Sequence, residues 1–455
     1  MAHTELKTHV FDPVAYRQKE GFFKRLKHFY RSKNINGWVI FYMLIYIVLV
    51  IKLVTIQEVG NGLFFAAYSV AVSFYILSRF FLAYFYMHDE VNNHPKIKMV
   101  KGYEPTVSFG VPSKNEGENI RETIMRIAQS DYPKNKFDII AINDGSDDNT
   151  LEEMLKAQEE ARIIGVNVKV IDWKINKGKR DGMAECVRQS KNDLVIFIDS
   201  DSFVEKNTAH ELVKYFGDET IAAVAGHGYV ANANKNILTK MQAVRYYVAF
   251  RAYKSAEALF GSVTCCSGCC SAYKREFVLK VLDSWLHQRF LGVRCTYGDD
   301  RSLTNYLLSK GYKTLYAPHA KVHTFVPETF KKFMRQQLRW KKSWCRESFK
   351  AGLFMWRKNP IMSISFYLGV ILPLLAPIIV IRALLWYPYA TGNAPWFYLF
   401  GLILMAVIYG LYYYIYTRDR RWVYGVLFAT LYTLVLIWQL PYALVNLRDA
   451  RWGTR

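Results

Sequence analysis

Apolar residues run in long unbroken blocks near both ends of the chain and in short bursts between them. A bilayer crossing needs ~20 mostly apolar residues for ~30 Å of hydrocarbon. Gly37–Ile56 and Gly62–Met87 both qualify, with Lys52 near one end of the first and Arg79 inside the second. A lysine near a span end can snorkel to the interface. The short QEVGN link folds the two into a hairpin. Met362–Trp386, Trp396–Thr417 and Trp422–Val445 repeat the pattern. The last is basic at both ends (Arg418, Arg420, Arg421; Arg448, Arg451) and contains Pro441. One crossing cannot put both basic ends on the same side, so this segment is expected to bend at Pro441 and be re-entrant or lie along the interface.

From Val107 onward the period changes. TVSFGVP, FDIIAIND, VKVIDW and DLVIFIDSD read as buried parallel strands, separated by helical NIRETIMRIAQ and LEEMLKAQEEARI. This alternation predicts an α/β domain with a mostly parallel sheet, whose ligands lie at the carboxyl ends of the strands. Those ends carry Ser113–Glu116, Asn143–Asp148 and Asp199–Asp201. After Val322, Phe330, Phe333, Gln337, Trp340 and Trp344 recur at helical spacing among lysines and arginines. They predict an amphipathic helix on the inner membrane surface.

The net charge of +22 over 455 residues sharpens this picture. Basic residues Lys24, Arg25, Lys27, Arg31 and Lys33 precede the first span, and Lys96, Lys98 and Lys101 follow the second. The positive-inside tendency places the N-terminus and the central domain in the cytosol. Basic aromatic helices also suit nucleic acid; a span directly after this one favours lipid headgroups instead. Seven cysteines, clustered as CCSGCC, argue against a secreted disulfide framework. No histidine follows at finger spacing, so buried thiols account for the cluster better than zinc.

Each chemical motif has an ordinary reading beside a functional one. Asp199-Ser200-Asp201 ends a strand and can offer carboxylates to Mg²⁺ or Mn²⁺, although Asp-x-Asp is common in loops. Asn143-Asp144-Gly145 can be a turn before a helix, but Asp144 stands at the strand end itself. Asn176-Lys177-Gly178-Lys179-Arg180 is a nucleotide-contacting loop or a solvated charge run. Gly298-Asp299-Asp300-Arg301 is a helix start or the source of a general base. In Gln336-Gln337-Leu338-Arg339-Trp340, arginine suits a departing diphosphate and indole a sugar face, or both serve the interface.

Taken in order between membrane segments, these motifs resemble the family 2 processive glycosyltransferases, which include cellulose, chitin and hyaluronan synthases. GDDRSLTNY, Phe290–Gly292, AGHGYVANANKNILTKMQAVRY and terminal Trp452-Gly453-Thr454-Arg455 are similar to the hyaluronan synthase branch, though WGTR also ends a glucose–glucuronate capsule synthase. The resemblance implies a GT-A type α/β domain, cytosolic and embedded between transmembrane helices of a multi-pass plasma-membrane protein. It divides the chain into a basic segment 1–36, two spans 37–87, the glycosyltransferase domain 88–322, interfacial helices 323–360, a membrane region 361–445 and a tail 446–455. It implies Asp300 as general base, with Asp299, Gln336, Arg339 and Trp340 beside it, and Asp199 and Asp201 on Mg²⁺ or Mn²⁺. Donor contacts would come from Ser113, Glu116, Asp144, Lys179, Arg180, Ser200, Arg301, Trp452, Thr454 and Arg455. Cys266, Ser267 and Gly268 would form the acceptor loop, where Cys269 replaces the usual proline that stiffens it. The implied substrates are UDP-GlcNAc and UDP-GlcA, joined into a growing polysaccharide and exported across the bilayer, with no nucleic acid involved. UDP-GlcNAc alone, a glucose–glucuronate product, or a non-catalytic sensor of UDP-sugars are the competing expectations.

Overall fold

The computed structural model describes residues 63–91 and 102–449, with a few isolated positions between 42 and 50. The expected span Gly37–Ile56, the segment 1–36 and the terminal Trp452, Thr454 and Arg455 lie outside the described residues.

Helix α1 (Leu63–Val91) leads into the domain. Strand β1 (Val107–Ser113), helix α2 (Ile120–Ala128), β2 (Phe137–Asp144), α3 (Thr150–Ile163), β3 (Asn167–Trp173), α4 (Lys179–Gln189) and β4 (Leu194–Ile198) then alternate. Next come β5 (Ser202–Val204), α5 (Thr208–Val213), β6 (Ile221–Val230), α6 (Ile237–Val248), β7 (Cys270–Lys274), α7 (Arg275–Leu286) and the small β8 (Arg289–Phe290) and β9 (Val293–Arg294) hairpin. Helix α8 (Asp299–Ser309) and β10 (Lys313–Thr324) complete the domain.

Eight strands form one sheet in the order β3-β2-β1-β4-β7-β6-β10-β5. Strands β1 to β4 pair parallel, β6 pairs parallel with β10, and only β7 and β5 run against the rest. In the β1–β2 register Ser113 lies beside Asn143, so Ser113, Asp144 and the residues after Ile198 share one edge. Every residue of β1 and β4 is buried, which explains their lack of polar alternation.

The domain is welded to the membrane helices. Tyr86 and Met87 of α1 belong to the same buried cluster as β1, β4 and β10, and the Tyr86 hydroxyl donates to the Tyr316 carbonyl. Phe80 and Ala83 pack with Val244 and Val248 of α6 and with Leu404, Ile408 and Tyr412. Close packing of these side chains ties α1 to α6 and to the helix that carries Tyr412.

Beyond the domain lie α9 (Phe330–Gly352), α10 (Pro360–Ile381), α11 (Trp396–Thr417), α12 (Trp422–Leu434) and α13 (Gln439–Val445). Ala67–Met87, Pro360–Thr391 and Tyr398–Thr417 are each long and apolar enough to cross a membrane, and α12 with the helix after it would make a fourth. Within that fourth the break falls at Leu434–Leu436 with a 43° bend, ahead of Pro441 rather than at it. Both ends of this bent pair return to the catalytic side. Arg421 donates to Asn234 at 3.5 Å, and beyond α13 the Asp449 carbonyl accepts from the Tyr297 hydroxyl at 3.0 Å. A pair bent in this way is a broken span or a re-entrant loop, the second being the course expected from its two basic flanks.

Candidate active site

The strand edge forms first. Asp144 ends β2, and its two carboxylate oxygens accept from the backbone N–H groups of Lys177 (2.6 Å) and Gly178 (2.9 Å), drawing the basic loop over the edge. Burial pushes the Asp144 carboxyl up, and those two N–H groups oppose the shift. Lys179 opens α4 and forms an ion pair with Asp199. Burial by itself lowers an ammonium pKa; Asp199, Asp300 and Asp299 nevertheless carry Lys179 above its ordinary value. A Cβ on Gly268 would stand 3.2 Å from both Asp199 Oδ1 and Lys179 Nζ, so the loop expected to meet the acceptor presses directly on this pair. The Asp201 carboxylate accepts from Ser202 and Thr324, and the Ser200 carbonyl accepts from Thr123. Ser113, Ser200, Asp144, Asp199 and Asp201 all line one cavity.

Gly298 starts α8 in the left-handed region (φ 76°), and a Cβ there would fall 1.8 Å from Ser343 Oγ. Both following aspartates reach the cavity wall but take different partners. Asp299 is buried and paired with Arg180 at 2.7 Å. Asp300 meets the Gly268 loop: its carboxylate accepts from Gly268 N at 3.3 Å and lies 3.5 Å from Cys265 Sγ, while Arg301 N donates to its other oxygen at 2.7 Å. Lys254 Nζ secures the loop through the Cys265 carbonyl (2.5 Å) and Ser267 Oγ (2.7 Å).

Helix α9 is capped by Thr329 and carries Gln336, Arg339 and Trp340 along the cavity wall. Gln336 Oε1 and Gln337 Nε2 are buried with no hydrogen-bond partner, the sort of polar atom that a bound hydroxyl would satisfy. Burial pulls the Arg339 guanidinium down, against Asp300, Asp299 and Asp199, which favour its charge. The Trp340 ring lies 6.2 Å from Tyr246, with Arg245 5.2 Å from its centroid. The helix is exposed at Lys331, Lys332 and Arg335 and packed into the protein further along. Lys342, Arg346 and Glu347 are buried, with Lys342 bound to Asp449 at 2.9 Å.

The cavity measures ≈ 1640 Å³ and does not stop at the chemistry. It continues past Trp340 between Tyr68 and Tyr75 of α1, Leu372 of α10, Tyr409 of α11 and Tyr432 of α12. Three sequence expectations change here. Glu116 lies off the cavity, its carboxylate accepting from Asn119 at 3.3 Å. Arg180 reaches the wall, but its guanidinium is taken by Asp299, Gln288, Ser302 and the Trp285 carbonyl. Cys266 is fully buried behind the loop, bonded to Thr304 and Tyr273, and Cys265 and Cys269 take the cavity side. Arg245, Lys254 and Lys341 also reach the cavity, unsingled in the sequence. The signal for Lys254 is local: helix α6 runs into a π-helical stretch, Ala249–Lys254, a distortion frequent at functional sites.

A family profile described as "Glycosyltransferase like family 2" matches residues 105–343, which hold the sheet, both aspartate motifs and Trp340. The chain belongs to glycosyltransferase family 2. Among curated relatives, a hyaluronan synthase of Streptococcus pyogenes is 30% identical over 357 residues, covering 78% of this chain and 84% of the relative. An N-acetylglucosaminyltransferase of Azorhizobium caulinodans is 30% identical over 360 residues, covering 77% and 87%. The mannosyltransferase PcManGT of Pyrobaculum calidifontis, solved with GDP-Man and Mn²⁺, superposes with a TM-score of 0.54 at 19% identity, over 81% of this chain and 99% of that one. That likeness shows the fold. In this family 2 glycosyltransferase one cavity runs from the sheet edge to the helices long enough to cross a membrane.

Proposed function

We propose that this glycosyltransferase polymerises hyaluronan from UDP-GlcNAc and UDP-GlcA at a cytosolic site of the plasma membrane and moves the product across the bilayer. One observation carries the reading: the cavity that holds Asp144, Asp199, Asp201 and Asp300 is continuous with the space between α1, α10, α11 and α12. A product formed at Asp300 has a path outward without leaving the protein.

In this reading Asp300 accepts the proton of the acceptor hydroxyl as that oxygen bonds to C1 of the donor sugar. The C1–O bond to UDP breaks in the same inverting displacement, and the electron pair leaves with the diphosphate. Arg339 and Lys179 offset that charge from fixed positions, and Trp340 gives the acceptor ring a flat apolar face. Asp199 and Asp201 suit a divalent cation. No cluster of three or more His, Cys, Asp or Glu forms a protein-only metal cage among the described residues. Two carboxylates fit an ion such as Mg²⁺ or Mn²⁺ that takes its other ligands from diphosphate and water. Such an ion would add positive charge beside the leaving group.

The membrane end favours an acidic product over chitin. Its wall carries Arg245, Lys341 and Arg382, and the one nearby carboxylate, Glu257, is bonded to Thr264. Cations of this kind suit uronates and gain nothing from a neutral chain.

The test is UDP release and polymer formation by the detergent-purified protein with Mg²⁺ or Mn²⁺. Donors are supplied singly and together, and the product is treated with hyaluronidase. Hyaluronidase-sensitive polymer that requires both donors is expected. Polymer from UDP-GlcNAc alone would move the assignment to a chitin-type enzyme, and polymer only with UDP-Glc and UDP-GlcA to a capsule synthase. No turnover of any donor would leave a UDP-sugar sensor.

A further inference from the structure

A run of buried polar groups starts in the cavity wall, at Arg180 and Asp299, and continues behind it. Arg180 Nε donates to Asp299 at 2.7 Å and its Nη1 to Gln288 Oε1 at 3.1 Å. Gln288 Nε2 donates onward to Glu347 Oε1 at 2.8 Å, and Arg346 Nε reaches the same oxygen at 2.9 Å. Asn305 of α8 donates to both the carbonyl (3.1 Å) and carboxylate (3.3 Å) of Glu347. Arg346 also donates to the Tyr297 carbonyl, one residue before Gly298. The charges alternate in sign, and Arg180, Asp299, Arg346 and Glu347 are each at most 4% exposed. Gln288, Arg346 and Glu347 do not line the cavity.

The run joins three pieces of the site through residues adjacent in sequence to the chemistry. Arg180 follows Lys179, and Asp299 precedes Asp300. Glu347 lies seven residues beyond Trp340, about two helical turns along the same face. Sliding or rotating α9 by one residue would pull Glu347 from Gln288 and leave a buried charge unpaired, so the network admits one register.

We propose that Glu347, acting through Gln288 and Arg180, is a positioning residue that sets α9 against α8 and thereby holds Arg339 and Trp340 opposite Asp300. The inference rests on the roles given above to Asp300 and Arg339. Misplacing a reacting group by about 1 Å costs on the order of 100-fold, so a shifted α9 is felt in turnover before binding.

The test uses the full-length purified protein with Glu347→Gln, Gln288→Glu and the exchanged pair Gln288→Glu/Glu347→Gln. The exchange restores an amide facing a carboxylate and places that carboxylate beside Arg180, while Arg346 keeps its bond to the Tyr297 carbonyl. Each single variant is expected to lose about tenfold or more in kcat, with donor KM and UDP affinity held within about twofold. The exchanged pair is expected to recover to within about threefold of the parent protein. Single variants with parental kcat, or an exchanged pair no better than either single while UDP affinity and Tm stay parental, would overturn the proposal. Glu347→Ala serves as the larger perturbation; should it fail to fold, the three shape-conserving variants still decide. If the parent protein transfers no sugar at all, the functional reading fails and the network is not at fault.

Discussion

The two ends of the cavity are made of opposite materials. The sheet end gathers Asp144, Asp199, Asp201 and Asp300 around two cations, Lys179 and Arg339. The membrane end has tyrosines, Trp340 and Phe428 with Arg245, Lys341 and Arg382 among them. At the sheet end carboxylates are pinned by backbone N–H groups and a lysine, so charge is held still where a bond is to be made. At the membrane end the cations rest against aromatic faces, Arg245 5.4 Å from Phe428 and Lys341 5.3 Å from Tyr432. Attraction there is spread over flat rings, which would suit the passing chain of the proposed function. Chemistry asks for fixed charge and passage for diffuse charge.

Substitutions can take the two ends apart. The largest effect is expected from Asp300→Asn, which would remove the proposed proton acceptor. Sugar transfer falls by about 10²–10⁴-fold, and UDP affinity by calorimetry stays unchanged. Loss of UDP binding in that variant would mean that Asp300 serves the donor rather than the acceptor. The neighbouring Asp299→Ala provides the contrast: it strips a buried arginine of its partner, so it should cost about 3–5 kcal/mol of stability, read as a lower Tm. Next, Arg245→Gln with Lys341→Gln should shorten the polymer several-fold on gels while the initial rate of UDP release changes less than about twofold. Equal losses in rate and length would erase the distinction between the ends.

A pH series gives a milder version of the same test. Burial, and then the Arg245 charge, lower Lys341 to about 7. A lysine is charged below its pKa, so raising pH from 6 to 8 discharges this group alone at the membrane end. Polymer length is expected to fall over that window, and Lys341→Arg to abolish the fall. The smallest effect is assigned to Pro441→Ala, with activity within about twofold of parental, because the chain has already turned at Leu434–Leu436.

Much of this was legible in the sequence, for a physical reason. Periodicity reports burial, so the four strands, the acidic edge and the spans from Trp396 to Thr417 and around Leu372 appear where the apolar runs place them. The family model extends that reading across the domain. What periodicity cannot show is the direction of a polar side chain. Lys179 and Arg180 are adjacent, as are Asp299 and Asp300, and although all four reach the cavity wall, Arg180 and Asp299 are taken up by each other. Nothing in their letters separates them; their partners do. Cys265 and Cys266 divide in the same manner across the Gly268 loop. The bend of the last apolar segment was attached to Pro441 because proline is the visible breaker, yet the break falls several residues earlier.

The seat of Tyr86 and Met87 within the domain's own core bears on how the enzyme is made. Synthesis delivers α1 before any strand of the sheet, so the helix enters the bilayer while its future socket at Tyr316 is still unmade. The sheet can close only around a peg already anchored. A fragment beginning after Met87 would therefore carry an open hole in its interior, and cutting the catalytic domain free would spoil it rather than release it.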